Sequence, residues 1–412
     1  MSDSPRIVIV GAGHAGGTAA ALLRQYGHHG AMTLIGDEPL EPYQRPPLSK
    51  AWLKGEADGD SLRLKAPEWY GDNGVDVRLS QSVRAIDRAT RTVSLGSGDV
   101  VSYDVLILAT GARARRLAVE GVGLNGVVTL RTAADAEVLK AVLARQPHRI
   151  KRLVVIGGGY VGLEAAASAR SLGAEVVVVE RESRILARVA CTTLSTFFAA
   201  YHRQQGVEFI LDAAVERLVG ENGQVAAVQL ADGSRLDCDA VLVGVGAVPN
   251  DELARDAGLN CQDGVLVDLA ARTSDPAVYA IGDVTRRPMP LYETLMRLES
   301  VPNALEQARQ AAAAITGRPA PESETPWFWS DQYDLKLQIA GVPVGCTDIV
   351  VRGSATAPGF ALFHMAGDVI RAVEAVNAPA EFLAGRQLIG RRAPVCRERL
   401  ADRATPMRGV AL

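Results

Sequence analysis

The stretch Arg6-Ile-Val-Ile-Val10, Gly11-Ala-Gly13-His-Ala-Gly16 decides how the rest of the chain is read. A short run rich in β-branched residues enters three spaced glycines, and an Ala/Leu-rich segment then continues with helical spacing to about Tyr26. A second apolar run, Met32-Thr-Leu-Ile35, ends at Asp37-Glu38. Strand, glycine loop, helix, strand and acid, in that order, form the context in which G-x-G-x-x-G signifies dinucleotide binding. Gly11, Gly13 and Gly16 serve a tight turn, close approach of backbone to a pyrophosphate, and close packing of helix on strand, while the helix N-terminus faces the phosphate charge. Asp37 is the first-copy acid.

The pattern returns. Leu153-Val-Val-Ile156 leads into Gly157-Gly-Gly159-Tyr160-Val-Gly162, a predicted helix over 163–172, and a strand Glu175–Val179 closed by Glu180. Each copy is followed by a hairpin that delivers an apolar strand to a glycine. In the first it is Thr92-Val-Ser-Leu-Gly-Ser-Gly98, then Tyr103-Asp-Val-Leu-Ile-Leu-Ala109-Thr110-Gly111. In the second it is Val228-Gln-Leu-Ala-Asp-Gly233, then Cys238-Asp-Ala-Val-Leu-Val-Gly244-Val-Gly246. Tight βα turns alone would not need an acid about 20 residues later in both copies. An α/β chain with two Rossmann-like dinucleotide-binding domains is expected.

The composition agrees. In 412 residues, 44 Lys+Arg oppose 47 Asp+Glu for a net charge of −3, so no general nucleic-acid binding is expected. No apolar stretch approaches the roughly 18 residues of a membrane span, and Met1–Arg6 lacks a basic leader, so neither membrane insertion nor export is expected and the cytoplasm is the expected compartment. The five cysteines, Cys191, Cys238, Cys261, Cys346 and Cys396, are widely spaced with no C-x-x-C, which suggests no disulfide framework, no cysteine-rich metal site and no iron–sulfur site. No metal is expected.

Glu180 is placed to accept hydrogen bonds from both hydroxyls of an adenosine ribose and to repel a 2′-phosphate, which favours NADH. Arg181 and Arg184 follow closely, and an arginine there is also able to hold a 2′-phosphate. Gly244 and Gly246 would let nicotinamide lie close to the backbone. A helix start is read at Ser300-Val301-Pro302-Asn303, with Pro in the first turn, Asn303-x-x-Glu306 as a capping box, and a helical run over 304–315.

Two further segments suit a long dinucleotide in the first copy: Ala109-Thr110-Gly111, and Thr273-Ser-Asp-Pro-Ala-Val-Tyr279-Ala-Ile-Gly-Asp283. With the glycine loops, this set resembles the FAD/NAD(P)-linked reductases of the glutathione reductase-like plan. Disulfide reductases of that plan carry a cysteine pair soon after the first βαβ unit. Here Glu41-Pro-Tyr-Gln-Arg-Pro-Pro-Leu-Ser-Lys50 contains no sulfur, so thiol–disulfide relay is not expected. The segments Pro46-Pro47-Leu-Ser-Lys50, Arg297-Leu-Glu-Ser-Val301-Pro-Asn-Ala-Leu-Glu-Gln-Ala-Arg309 and Pro326-Trp-Phe-Trp329-Ser-Asp-Gln-Tyr333 are similar to the putidaredoxin reductase-like, FAD-dependent ferredoxin reductases coupled to oxygenases. The resemblance runs from about Ile7 to Arg392. His14 departs from it, relatives more often having an apolar residue there.

The resemblance implies FAD as cofactor, NADH as donor and a 2Fe-2S ferredoxin as partner. By the same resemblance Ala15, Asp37, Lys50, Val83, Arg131, Asp283 and Val301 are expected at FAD, with Asp283 at the ribityl chain and the Val301 amide at the flavin. Lys50 would bring an ammonium to the flavin edge where hydride arrives. Glu164 would orient nicotinamide or pair with Lys50; its plainer reading is an acid in the first turn of a helix. Trp329 would cover the flavin edge where electrons leave, or fill an interdomain seam. Arg309 would meet an acidic ferredoxin, and the stretch 381–412, with seven arginines against Glu381, Glu398 and Asp402, offers either a docking patch or a solvated tail.

The resulting architecture is a discontinuous FAD-binding domain over 1–114 and 250–322, an NAD-binding domain over 115–249, and a C-terminal α+β domain over 323–412. The last should form a small antiparallel sheet from 335–340, 349–352, 360–364 and 369–376, with helices after Pro379. Function is expected to be NADH-dependent reduction of a ferredoxin that serves a haem-thiolate monooxygenase. The alternatives are the reductase of a Rieske-type aromatic-ring dioxygenase and a redox-sensing flavoprotein of the apoptosis-inducing-factor type. The oligomeric state is left open.

Overall fold

A computed structural model of the chain describes residues 4–144 and 151–412. Contacts are densest within two units, one of Met1–Gln44, Gly59–Arg113 and Val248–Phe328, the other of Arg45–Asp58, Ala114–Ala247 and Trp329–Leu412.

In the first unit the strand Ile7–Val10 pairs in parallel with Met32–Ile35 on one side and Val105–Leu108 on the other. Val278–Ala280 and Val75–Arg78 complete a five-stranded sheet. The inner strands are buried on both faces, as a parallel sheet covered on each side requires. The helix His14–Gln25 packs against the helix Val301–Ile315 through small side chains, among them Ala19, Ala20, Ala308 and Ala311, all buried in one core. Leu23 and Leu34, both fully buried there, each contribute about 1.5–3 kcal/mol relative to exposure.

The second unit repeats the plan. Arg152–Ile156 is flanked in parallel by Glu175–Val179 and Ala240–Val243, with Val207–Ile210 and Val127–Val128 outside them. The strand order is the same in both sheets, except that the fifth strand comes from later in the chain in the first unit (Val278–Ala280) and from earlier in the second (Val127–Val128). Between the third and fourth strands each unit inserts a three-stranded antiparallel sheet, Val83–Asp87, Thr92–Leu95 and Val100–Ser102 in one, Val215–Glu221, Gln224–Leu230 and Arg235–Asp237 in the other. The anticipated hairpins are thus two of three strands. The helix of the second glycine loop spans Tyr160–Ser171, starting earlier than the expected 163.

The C-terminal sheet has five strands in the order Trp327–Gln332, Leu335–Gly341, Val369–Val376, Phe360–Ala366, Asp348–Arg352. The first of these was not anticipated. Helices Pro379–Arg391 and Arg397–Ala401 follow. The stretch after them is not a free solvated tail: the buried Arg352 guanidinium donates to the carbonyls of Leu400 (3.1 Å), Asp402 (2.6 Å) and Thr405 (2.8 Å), and Val410 is fully buried. In the same unit the helix Thr192–Gln204 begins just after Cys191.

Candidate functional site

The first glycine loop is closed by sterics. A Cβ on Gly11, whose φ is +112°, would lie 2.2 Å from the Ala109 carbonyl oxygen, and one on Gly16 would lie 2.0 Å from the Gly11 carbonyl oxygen. Gly13 precedes the helix in extended geometry, and no side chain caps that helix end. Its N–H groups and dipole therefore face outward to an anion. Thr110 and Asn250 lock the adjoining turn, Thr110 Oγ1 donating to the Asn250 carbonyl (2.7 Å) and Asn250 Nδ2 to the Thr110 carbonyl (2.8 Å). A Cβ on Gly282, at φ +80°, would sit 3.0 Å from Ala15 Cβ, which brings Asp283 beside the loop. Asp37 is exposed one residue beyond Gly36, which packs on Ala12, while Glu38 accepts the Tyr43 hydroxyl at 2.6 Å. A glycine-walled turn, an uncapped helix and nearby carboxylates fit a dinucleotide's pyrophosphate and hydroxyl groups.

The second loop is built alike. A Cβ on Gly157 (φ +107°) would lie 2.4 Å from the Gly244 carbonyl oxygen, and one on Gly162 2.4 Å from that of Gly157. Gly159 is different: a Cβ there would meet nothing within 4 Å. Its glycine is not needed by the protein's own packing, but it suits a ligand that must lie against the backbone. Glu180 Oε2 accepts the Gly158 N–H at 2.6 Å and Oε1 accepts the Glu182 N–H at 2.9 Å, fixing the carboxylate at the loop. Arg184 is committed elsewhere, donating to Ser195 Oγ (2.7 Å) and to the carbonyls of Ala187 and Ala190. Arg181 has an 81% exposed side chain beside Glu182. Neither arginine is fixed beside Glu180 as a 2′-phosphate clamp. Gly246, at φ +105°, has Arg188 for its nearest neighbour.

Lys50 and Glu164 are brought together. Lys50 Nζ lies 2.7 Å from Glu164 Oε2 and 3.0 Å from the Pro46 carbonyl. Glu164, only 3% exposed, also accepts Ser49 Oγ at 2.5 Å and Ser330 Oγ at 2.6 Å. It is in the second turn of its helix, not the first, so the helix-terminus reading is corrected. A carboxylate this deep is tolerable because an ammonium and two hydroxyls satisfy it. Nothing in the sequence singles out Ser49 or Ser330 beyond their adjoining the candidate residues Lys50 and Trp329. Because strand side chains alternate between faces, Ser330 turned toward Glu164 puts Trp329 on the opposite face of the strand Trp327–Gln332.

The helix Val301–Ile315 is capped by Ser300, whose Oγ accepts the Asn303 N–H at 3.3 Å. The expected Asn303–Glu306 capping box is therefore corrected. Both side chains are buried and serve Arg287, which is 1% exposed: Nη1 donates to Asn303 Oδ1 and Nη2 to Glu306 Oε1, each at 3.1 Å. Gln307 Oε1, also missed, accepts the Gly282 N–H at 2.8 Å and Thr285 Oγ1 at 2.9 Å, tying this helix to the turn that carries Asp283. Arg309 is engaged with Glu324 at 2.6 Å. Val83 opens an antiparallel strand, and Arg131 lies in a turn where its N–H meets Asp135 (2.9 Å) and its carbonyl accepts Arg45 (2.6 Å). All five cysteines are free thiols, and burial pushes those of Cys191 and Cys238 up to about 12.

These features define a two-loop dinucleotide oxidoreductase, and comparison with known proteins agrees. The family model described as pyridine nucleotide-disulphide oxidoreductase matches residues 5–308, and the reductase C-terminal model matches 327–411. The chain belongs to this family, among the putidaredoxin reductase-like ferredoxin reductases. It is 50% identical to a probable ferredoxin reductase of Castellaniella defragrans over 98% of each chain, and 40% identical to putidaredoxin reductase of Pseudomonas putida over 100% of this chain and 97% of that one. Among solved structures it is similar to the putidaredoxin reductase in its covalent complex with putidaredoxin, with a TM-score of 0.96 and 40% identity over 99% of this chain and 98% of that one. As a family member it is an FAD-dependent NAD(P)H:ferredoxin oxidoreductase. Among the described residues no helix is long and apolar enough to cross a membrane.

Proposed function

We propose that the protein carries electrons from NADH through FAD to a 2Fe-2S ferredoxin that serves a bacterial haem-thiolate monooxygenase, in the cytoplasm. The observation that carries the reading is the pair of uncapped glycine-loop helices, each on its own parallel sheet, with Glu180 fixed at the second. Support for the oxygenase class comes from a solved neighbour that is the ferredoxin reductase for the CYP199A2 system of Rhodopseudomonas palustris, and support for the ferredoxin from the solved reductase–putidaredoxin complex. FAD, when bound, accepts two electrons as hydride and releases them singly.

The residues divide the work. Gly11, Gly13, Ala15 and Gly16 hold the FAD pyrophosphate, with Asp37 at the adenosine ribose, Ala109, Thr110 and Gly111 along the chain, and Asp283 at the ribityl hydroxyls. Val83, Arg131 and the Val301 amide complete the flavin's surroundings. Gly157, Gly159, Tyr160 and Gly162 hold NADH, with Glu180 at its ribose and Gly244 and Gly246 leaving room for nicotinamide. Glu164 keeps the Lys50 ammonium in one place, so that positive charge is available to the flavin without a side-chain search. Arg309 and Trp329 face the ferredoxin. The division into FAD-binding (1–114, 250–322), NAD-binding (115–249) and C-terminal (323–412) domains is part of this proposal.

Two substitutions test the assignments. Glu180→Ala removes charged hydrogen bonds to the ribose worth about 1.5–3 kcal/mol, so KM for NADH should rise roughly ten- to hundredfold while that for NADPH changes little. Steady-state kinetics with both nucleotides checks this, and equal losses with NADH and NADPH would remove Glu180 from specificity. Trp329→Ala should slow ferredoxin reduction more than flavin reduction by NADH. Stopped-flow measurement of each half-reaction separates the two, and the reverse order would discard the electron-exit assignment.

A further inference from the structure

Away from the glycine loops, the second unit contains a cluster that the redox chemistry does not use. Glu374 and His364 stand on neighbouring antiparallel strands in which Glu374 is registered with Leu362 and His364 with Ala372. Leu362 and His364 are two residues apart, so His364 and Glu374 share one face of the sheet. Cys191, immediately before the helix Thr192–Gln204, meets them there, and its N–H donates to Glu374 Oε1 at 2.8 Å. The Cys191 thiol, a His364 ring nitrogen and a Glu374 carboxylate oxygen all lie within 4.8 Å of one another.

Two polar atoms of this cluster are not satisfied by the protein. Glu374 is 2% and His364 5% exposed, yet Glu374 Oε2 and His364 Nε2 are buried without a hydrogen-bond partner. Nε2 approaches Oε1 to 3.3 Å but out of hydrogen-bond alignment. Neither protonation state of the imidazole repairs this. A protonated ring would hold its Nε2 proton without an aligned acceptor, and a neutral ring with the lone pair at Nε2 would have no donor for it. A cation at the point where the three groups converge satisfies all of them at once.

We propose that Cys191, His364 and Glu374 form a zinc site that ties the start of the helix Thr192–Gln204 to the C-terminal sheet. Sulfur, imidazole nitrogen and carboxylate oxygen are the three ligand types zinc accepts, at about 2.0–2.3 Å, and tetrahedral geometry places them roughly 3–4 Å apart. The observed spacing needs only side-chain closure to reach that. Thiolate and carboxylate together neutralise the divalent charge. On binding, the Cys191 thiol proton leaves to solvent, and water completes the coordination. Cys191 is only partly buried, which leaves a way in. The ligands lie up to 183 residues apart in sequence, so no spacing motif announces them.

The test uses the FAD-loaded full chain, stripped with a chelator, incubated with zinc chloride, desalted, and analysed for metal. About one zinc per chain is expected, with Cys191→Ser and Glu374→Gln each retaining at least tenfold less while staying yellow and folded by circular dichroism. In unsubstituted protein, cobalt(II) should give tetrahedral d–d bands to the red of the flavin absorption, which need no variant to interpret. Retention of no zinc, retention equal in Cys191→Ser, or cobalt spectra of octahedral aquo character would each overturn the site.

Discussion

Gly11→Ala protein is expected to be isolated colourless, with FAD content reduced at least tenfold. Gly157→Ala protein is expected to be yellow, yet unable to be bleached by NADH. The two outcomes follow from the same contact in the two repeats. In each, the added methyl would sit 2.2–2.4 Å from a carbonyl oxygen of the strand's neighbour, at a φ above +100° that L-residues rarely adopt. Relief requires moving the loop, and strain of this kind costs about 1–3 kcal/mol before any steric overlap is counted. On the proposed assignment the loop holds the ligand's phosphates, so binding is lost before folding is. Flavin absorbance after gel filtration, followed by anaerobic NADH addition, reads both. A yellow Gly11→Ala protein that NADH reduces normally would show that the first loop does not hold FAD.

Arg287→Ala is expected to be the most destabilising single change outside the loops. The guanidinium is buried against Asn303 and Glu306, and Glu306 also accepts Gln310 Nε2 and the Glu324 N–H, each at 3.1 Å. Removing the arginine leaves a buried carboxylate without its cation, a loss of about 3–5 kcal/mol. Urea unfolding should show the midpoint falling without a change in slope. Glu306→Gln in the same background removes the uncompensated charge and should recover part of the loss. A midpoint within error of the unsubstituted protein would mean that the network does not anchor the helix Val301–Ile315.

What was legible in the sequence was what sterics and burial leave no choice about. Gly11, Gly16, Gly157 and Gly162 abut carbonyl oxygens, and the β-branched runs Ile7–Val10 and Leu153–Ile156 lie at the centres of parallel sheets, so glycine spacing and apolar runs together revealed both repeats. The side-chain partners were less visible because polar residues have several possible uses. Asn303 has a capping residue's composition, but its amide is spent on Leu298 and Arg287, and Ser300 caps instead. Glu164 is a candidate from sequence, but its serine partners come from 115 residues before and 166 residues after it, beyond any local pattern. In Trp327–Gln332 the aromatics are what the sequence displays, whereas its place as an edge strand is set by pairing with Leu335–Gly341. Arg184 has the composition of a 2′-phosphate ligand, but its guanidinium is held by the Ala187 and Ala190 carbonyls.

The central claim is that nicotinamide bound at the second loop reduces flavin bound through the first, and that the electrons then pass to a ferredoxin. Anaerobic stopped-flow mixing of the FAD-loaded protein with NADH, and then with an oxidised 2Fe-2S ferredoxin, tests it directly. The flavin's visible absorbance should be lost at a rate that saturates with NADH and exceeds that with NADPH, and should return as the ferredoxin is reduced. A flavin that stays oxidised under saturating NADH would contradict it.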